Sequence, residues 1–134
     1  MIFRASTPED FLYMSEHCKY RRSEIKQLDA IDEICTLEDN GFPILVGGFR
    51  QINDATAWCW MDLAEGVNIR QAYRVIKEWI ELYIESNDIK RLQAFVRVDF
   101  EQAIRTVKHL GFKKESIMKN FFRDCDAYLF VRIL

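Results

Sequence analysis

The feature that most constrains this chain is a long amphipathic stretch set between two strand-like runs. From about residue 69 to 86, Ala72, Ile76, Trp79, Ile80 and Tyr83 recur at steps of three and four, which places them on one face of a helix. Asn68 followed by Gln71 has the spacing of an N-cap and its partner. Before it lies the aromatic-rich run TAWCWMDL (56–63), and after it the apolar run LQAFVRV (92–98), both suited to strands. Parallel strands need a crossover of a dozen or more residues, and the helix supplies one. The expectation is a parallel strand pair, with a ligand cleft opening beside the C-terminal ends of its strands.

The flanking segments fill in the order. Residues 2–5 (IFRA) read as an opening strand, and Thr7, Pro8 and Asp10 give a helix start with N-cap, first-turn proline and a box-like acid, the helix running to about Cys18. RRSEIKQLDAIDE (21–33) suits a short charged helix with Ile25, Leu28 and Ile31 on one face. Its basic cluster Lys19, Arg21 and Arg22 has acids on both sides, the pattern of a solvated face. ICTLED and FPILVGGF form a hairpin around Asn40-Gly41, with Pro43 tolerable at a strand start. QINDA is a further turn. DFEQAIRTVKHLGF predicts a helix with Phe100, Ala103, Ile104, Val107 and Leu110 inward and Gly111 as its stop. SIMKNFF and YLFVRIL are expected as closing strands around residues 123–126. The order is β-α-α-β-β-β-α-β-α-β-β, helices packed on a mostly antiparallel sheet.

Composition narrows the function. At 134 residues the chain has room for one domain, 1–134, and 49% hydrophobic residues allow a real core. Nineteen Lys+Arg against 21 Asp+Glu, a net charge of −2, argues against a nucleic-acid partner. Neither a signal-peptide run nor a membrane span of about 18 apolar residues stands out, so the expectation is a cytoplasmic protein with no membrane partner. Cys18, Cys35, Cys59 and Cys125 form no C-x-x-C pair, and the histidines are His17 and His109 alone. That spacing predicts buried free thiols and no metal site. The adjacent pair His17-Cys18 is weak evidence for a nucleophile, because neighbours on a helix point about 100° apart. Aromatic residues are abundant and glycines few, at 13% and five, which weighs against phosphate-cradling loops.

The element order, together with FRASTPEDF near the start and AIRTVKHLGFKKES near the end, resembles the GNAT N-acetyltransferase superfamily over essentially the whole chain. Its motif before the last two strands reads A-x-x-h-Y-x-x-h-G-F, where h is apolar. Ala103, Leu110, Gly111 and Phe112 match it, while Thr106 and Val107 depart from it. The resemblance implies a three-layer α/β fold, a mostly antiparallel central sheet with one parallel strand pair, and acetyl-CoA in the wedge between the fourth and fifth strands. Within the superfamily the chain is most similar to phage-encoded GNAT-like proteins related to the internal virion protein of short-tailed phages. That likeness rests on GFPILVGG (41–48), on the tryptophan-containing strand after it, and on the helix carrying Arg70, Arg74 and Trp79. It implies a phage origin, a part in virion assembly and association with the particle.

The same resemblance gives candidate site residues. The pyrophosphate loop of the family is R/Q-x-x-G-x-G/A, in which amides at a helix start and the helix dipole hold the diphosphate. With Arg70 in its first position, the two glycine places fall on Tyr73 and Val75, both bulky. Arg70, Gln71, Ala72 and Arg74 remain to hold the phosphates. Counting back four from Gly111, the general acid of the family falls on Val107, which has no proton to give. Asp62, Asp99 and Tyr73 are the substitutes the sequence offers, as proton relays or donor. Two classes of function follow. One is a GNAT-fold phage factor with a degraded acetyl-CoA site, acting through a phage or host protein partner, with Trp58 or Trp60 as exposed anchors. The other is an acetyl-CoA-dependent N-acyltransferase acting on an amine.

Overall fold

The computed structural model describes residues 1–18 and 33–134. Its strands are β1 (Ile2–Ala5), β2 (Glu33–Asp39), β3 (Phe42–Gln51), β4 (Thr56–Leu63), β5 (Arg91–Arg97), β6 (Lys113–Met118) and β7 (Ala127–Ile133). The helices are α1 (Pro8–His17), α2 (Tyr73–Asn87) and α3 (Glu101–His109). The strands form a sheet of order β1-β2-β3-β4-β5-β7-β6. Every strand pair whose register is described is antiparallel except β4 with β5, which runs parallel from Thr56 opposite Arg91 to Trp58 opposite Gln93. Among the described residues the elements follow the expected order. Residues 21–32 of the helix expected at 21–33, with its basic cluster, lie outside the described residues, and Glu33 opens β2.

Two compact units divide the chain, Met1–Gln51 with Cys59–Ala72, and Ile52–Trp58 with Tyr73–Leu134. In the first, the hairpin between β2 and β3 turns on Asn40 and Gly41, both at positive φ (52° and 82°), the backbone that matches strand twist in a two-residue loop. Pro43 sits beside a bulge, its partner being Glu38 while Leu37 pairs with Leu45, so the missing N–H falls where the ladder is already interrupted. Met14 of α1 packs with Val46, Trp60 and Ala64, and Phe11, Tyr13 and Ile34 close around them. Trp60 is thus core, only 5% exposed, and does not serve as the surface anchor expected of it.

A buried carboxylate joins α1 to the strands of this unit. Asp10, 4% exposed, accepts hydrogen bonds from Arg4 Nη1 (2.7 Å) and Nη2 (2.9 Å), from the Thr7 amide (2.8 Å) and from Thr36 Oγ1 (2.9 Å). Because the single Thr36 hydroxyl proton goes to Asp10, Ser6 donates to Thr36 at 2.8 Å. Arg4 also donates from Nε to Glu38 at 3.0 Å, so one guanidinium spans β1, α1 and β2. The box-like start at Thr7 and Asp10 is the visible part of this network.

In the second unit, β5 and β7 pair along their length, from Arg91 opposite Ile133 to Arg97 opposite Ala127. Ile76, Trp79, Ile80, Tyr83 and Ile84 make the buried face of α2, all but the last read from the sequence. Its C-terminus closes on Asp88 (φ 51°), with the Ile89 amide donating to the Ile84 carbonyl at 3.0 Å. On α3, Val107 and Leu110 are buried as expected, whereas Phe100, Ala103 and Ile104 are half-buried and Thr106 is buried instead. Thr106 belongs inside because its hydroxyl donates to the Gln102 carbonyl at 2.7 Å.

Two further expectations need correcting. The strand placed at 116–122 lies at Lys113–Met118, and Phe121 and Phe122 fall in the following loop, after Asn120 at φ 54°. An exposed edge strand is polar and charged, so KKES gave no apolar alternation to read. The four cysteines are free thiols, but only Cys59 is buried; Cys18, Cys35 and Cys125 are half-buried.

Two measurements test these supports. The Arg4 guanidinium, with help from Thr7 and Thr36, holds the Asp10 carboxyl well below the usual carboxylate range. A carboxylate more acidic in the folded chain stabilises it above its unfolded pKa of roughly 3.9, and that stabilisation drains away as pH falls toward the folded value. Asp10→Asn is expected to lower unfolding free energy by about 2–4 kcal/mol in urea at pH 7 and to flatten the loss of stability below about pH 4. At Gly111 (φ 96°) an added Cβ meets nothing nearer than Arg132 side-chain atoms at 4.0 Å. Gly111→Ala should therefore cost only the backbone strain, about 1 kcal/mol, measured in the same urea titration.

Candidate functional site

The start of α2 is where the sequence placed a phosphate-binding turn, and its geometry differs from the expected helix start at residue 69. Ile69–Ala72 form a 3₁₀ turn, and the α-helix begins at Tyr73. Asn68 Oδ1 accepts from the Arg70 amide at 3.2 Å, capping the turn two residues on, so Gln71 is not its partner. A 3₁₀ opening was hidden from the sequence because it preserves the apolar spacing: Ile69 and Ala72 are buried. Arg70 and Gln71 are exposed, Ala72 is fully buried, and Arg74 is exposed and paired with Glu78 at 3.2 Å. Gly66, at φ 76°, precedes the turn and has open space where a Cβ would stand.

Tyr73 does not point free. Its ring stacks on His109 of α3, centroids 4.0 Å apart and planes 25° apart. This packing joins the first residue of α2 to the last of α3, and it fixes an aromatic ring at a position where a glycine-lined cradle would have none. Val75, half-buried, fills the second such place. Val107, the position of the family acid, is 5% exposed in the core. No sequence signal pointed to the Tyr73–His109 pair, because 36 residues separate partners that only tertiary structure brings together.

The remaining candidates have separate settings. Asp62 is buried near the end of β4 in the first unit. Asp99 is exposed just beyond β5 in the second, and accepts two bonds from Arg97, at 3.0 and 3.1 Å. Arg97 also donates to both oxygens of Asp124 at 2.9 and 2.8 Å and lies over the Phe122 ring, 5.2 Å from its centroid. Its side chain is only 13% exposed. The Arg97 guanidinium holds both Asp99 and Asp124 below the usual carboxylate range, a setting that favours an ion-pair role over proton uptake near neutrality. Cys125 Sγ lies 3.8 Å from Asp99 Oδ1, and burial raises its thiol pKa, so this cysteine is not an activated thiolate.

Trp58 is half-buried and rests on Phe95 (4.2 Å between centroids), which in turn rests on Phe121 (4.2 Å). It belongs to an aromatic row of the second unit and does not project alone. Among the described residues no group of three or more His, Cys, Asp or Glu side chains could hold a metal ion. Nor is any described helix long and apolar enough to cross a membrane.

No family model matches the chain, and no curated protein matches it. Solved structures do. A GNAT family acetyltransferase from Elizabethkingia anophelis, with acetyl-CoA bound, superposes with a TM-score of 0.78 at 17% identity, covering 99% of this chain and 97% of that one. The ribosomal-protein-S18-alanine N-acetyltransferase of Escherichia coli gives 0.75 at 17% identity over 98% and 92%. A mutant of the Vibrio cholerae spermidine N-acetyltransferase gives 0.72 at 14% identity over 99% and 95%. The GNAT acetyltransferase fold is therefore the fold of this chain.

Proposed function

We propose that the protein is a phage-type GNAT-fold factor whose acetyl-CoA site has degraded and which acts by binding a protein partner, of the phage or its host, during virion assembly. The observation that carries the first half is the Tyr73 ring, stacked on His109 at the start of α2. A diphosphate held at a helix start needs close access to backbone amides, and the family motif provides it with glycine. Here a tyrosine and a valine occupy those places, so the residues present do not fit the cradle that acetyl-CoA requires. Burial of Val107 supports the same reading, since the position of the family acid has become core. The phage setting is supported by the likeness of residues 41–48, of the tryptophan strand after them and of the helix with Arg70, Arg74 and Trp79.

A second reading, an acetyl-CoA-dependent N-acyltransferase acting on an amine, draws on one observation. Arg70 and Gln71 are exposed in the 3₁₀ turn, where side chains could hold an anion without close amide contact. Arg74 would add charge. Tyr73 would then be the proton donor, with Asp62 or Asp99 relaying a proton from the amine.

Calorimetric titration with acetyl-CoA separates the two. The degraded site is expected to give no binding heat up to about 1 mM ligand. Micromolar binding that is lost in Arg70→Ala would overturn it in favour of the enzyme.

A further inference from the structure

Between α3 and strands β6 and β7, the second unit carries a groove of about 430 Å³. Its size lies within the roughly 300–1,000 Å³ of small-molecule sites. Its apolar surface comes from the half-buried Val98, Ile104 and Tyr128, and Tyr128 rests edge-on against the fully buried Phe130, centroids 6.1 Å apart. Among the described residues the rim holds Arg105, Lys108 and Lys114, with Glu101 as its one acid. Glu101, Arg105 and Lys108 share a helix face through their spacing of four and three. Two positive charges are left in surplus, on a chain whose net charge is −2.

The cations are held loosely enough to be recruited. Arg105 reaches Glu101 only at 3.8 Å, with both side chains largely exposed (68% and 85%), a pair worth little in water. Lys114 lies over the Tyr128 ring, 4.5 Å from its centroid, which keeps an ammonium at the edge of the apolar floor. Three cations at one groove are too few for a nucleic-acid track, and the apolar floor would add nothing to a bare ion.

We infer that this groove binds a small organic anion, a molecule with one phosphate or carboxylate head and a compact apolar body. The head lies between Arg105, Lys108 and Lys114, displacing Glu101 from Arg105, and the body covers Val98 and Ile104. The inference does not rest on the state of any acetyl-CoA site.

A titration of the whole chain with phenyl phosphate, followed by amide NMR shifts, tests this. Saturable shifts should appear at residues 98–108, 114 and 128–130, with a Kd of order 1 mM or tighter. Inorganic phosphate and phenol should each bind at least about 5-fold more weakly, since each lacks half of the recognition. The exposed changes Arg105→Gln and Lys114→Gln should each weaken binding by about 5-fold or more, while Arg70→Ala should leave it unchanged. Absence of saturable shifts at about 10 mM probe would overturn the proposal, as would equal binding of inorganic phosphate or unchanged affinity in the variant carrying both Arg105→Gln and Lys114→Gln. Binding of a glutamate-rich peptide without phenyl phosphate binding would overturn it in favour of an acidic protein surface.

Discussion

The parallel pairing of Thr56–Trp58 with Arg91–Gln93 is the constraint from which the rest follows. Every pairing that a hairpin can make is antiparallel; this one obliges the chain to leave the sheet, cross it and return. The crossover occupies the residues between β4 and β5, and its length is filled by a 3₁₀ turn and the fifteen-residue α2. Burial of Ile76, Trp79, Ile80 and Tyr83 makes the detour favourable, each large apolar side chain contributing roughly 1.5–3 kcal/mol against exposure. Because a crossover helix must begin near the end of a strand, its N-terminus is the natural place for an anion, and the residues there decide whether the fold keeps a nucleotide-type cofactor.

Polar interactions serve two different ends in this chain. Asp10 is enclosed and fully bonded, so its charge is bound up with the packing of α1 against the first strands, and its loss leaves buried donors without an acceptor. Arg97 gathers two exposed carboxylates and an aromatic ring, tying the loop between β6 and β7 to the end of β5. The first arrangement is a stability element in an interior, while the second is a surface clamp whose strength salt would screen.

Much of the fold was legible because it is written in periodicity and turn chemistry. Asn40-Gly41 named its hairpin, the α2 stripe named its buried face, and Gly111 named the end of α3, where the Phe112 amide donates back to the Val107 carbonyl at 3.0 Å. What escaped was set by contacts that local sequence does not encode. Edge strand β6 carries charges instead of an apolar rhythm, Thr106 is inside because it bonds its own helix, and Trp60 is hidden because α1 covers it. The site followed the same division. The absence of glycine at Tyr73 and Val75 could be read directly, whereas the packing of Tyr73 on His109, the late start of α2 and the engagement of Asp99 by Arg97 needed the folded chain.

Taken together, the chain has the GNAT fold, and in the proposed reading the positions that chemistry would use are given to packing. A core valine stands where the resemblance puts the acid, and a stacked tyrosine where it puts the first glycine. The most direct test restores the space. Acetyl-CoA titrated calorimetrically into Tyr73→Gly/Val75→Ala and into the parent chain should bind the variant at least about 10-fold more tightly, because the amides at the helix start become accessible. Equal behaviour of the two chains would contradict the claim that these side chains close the site.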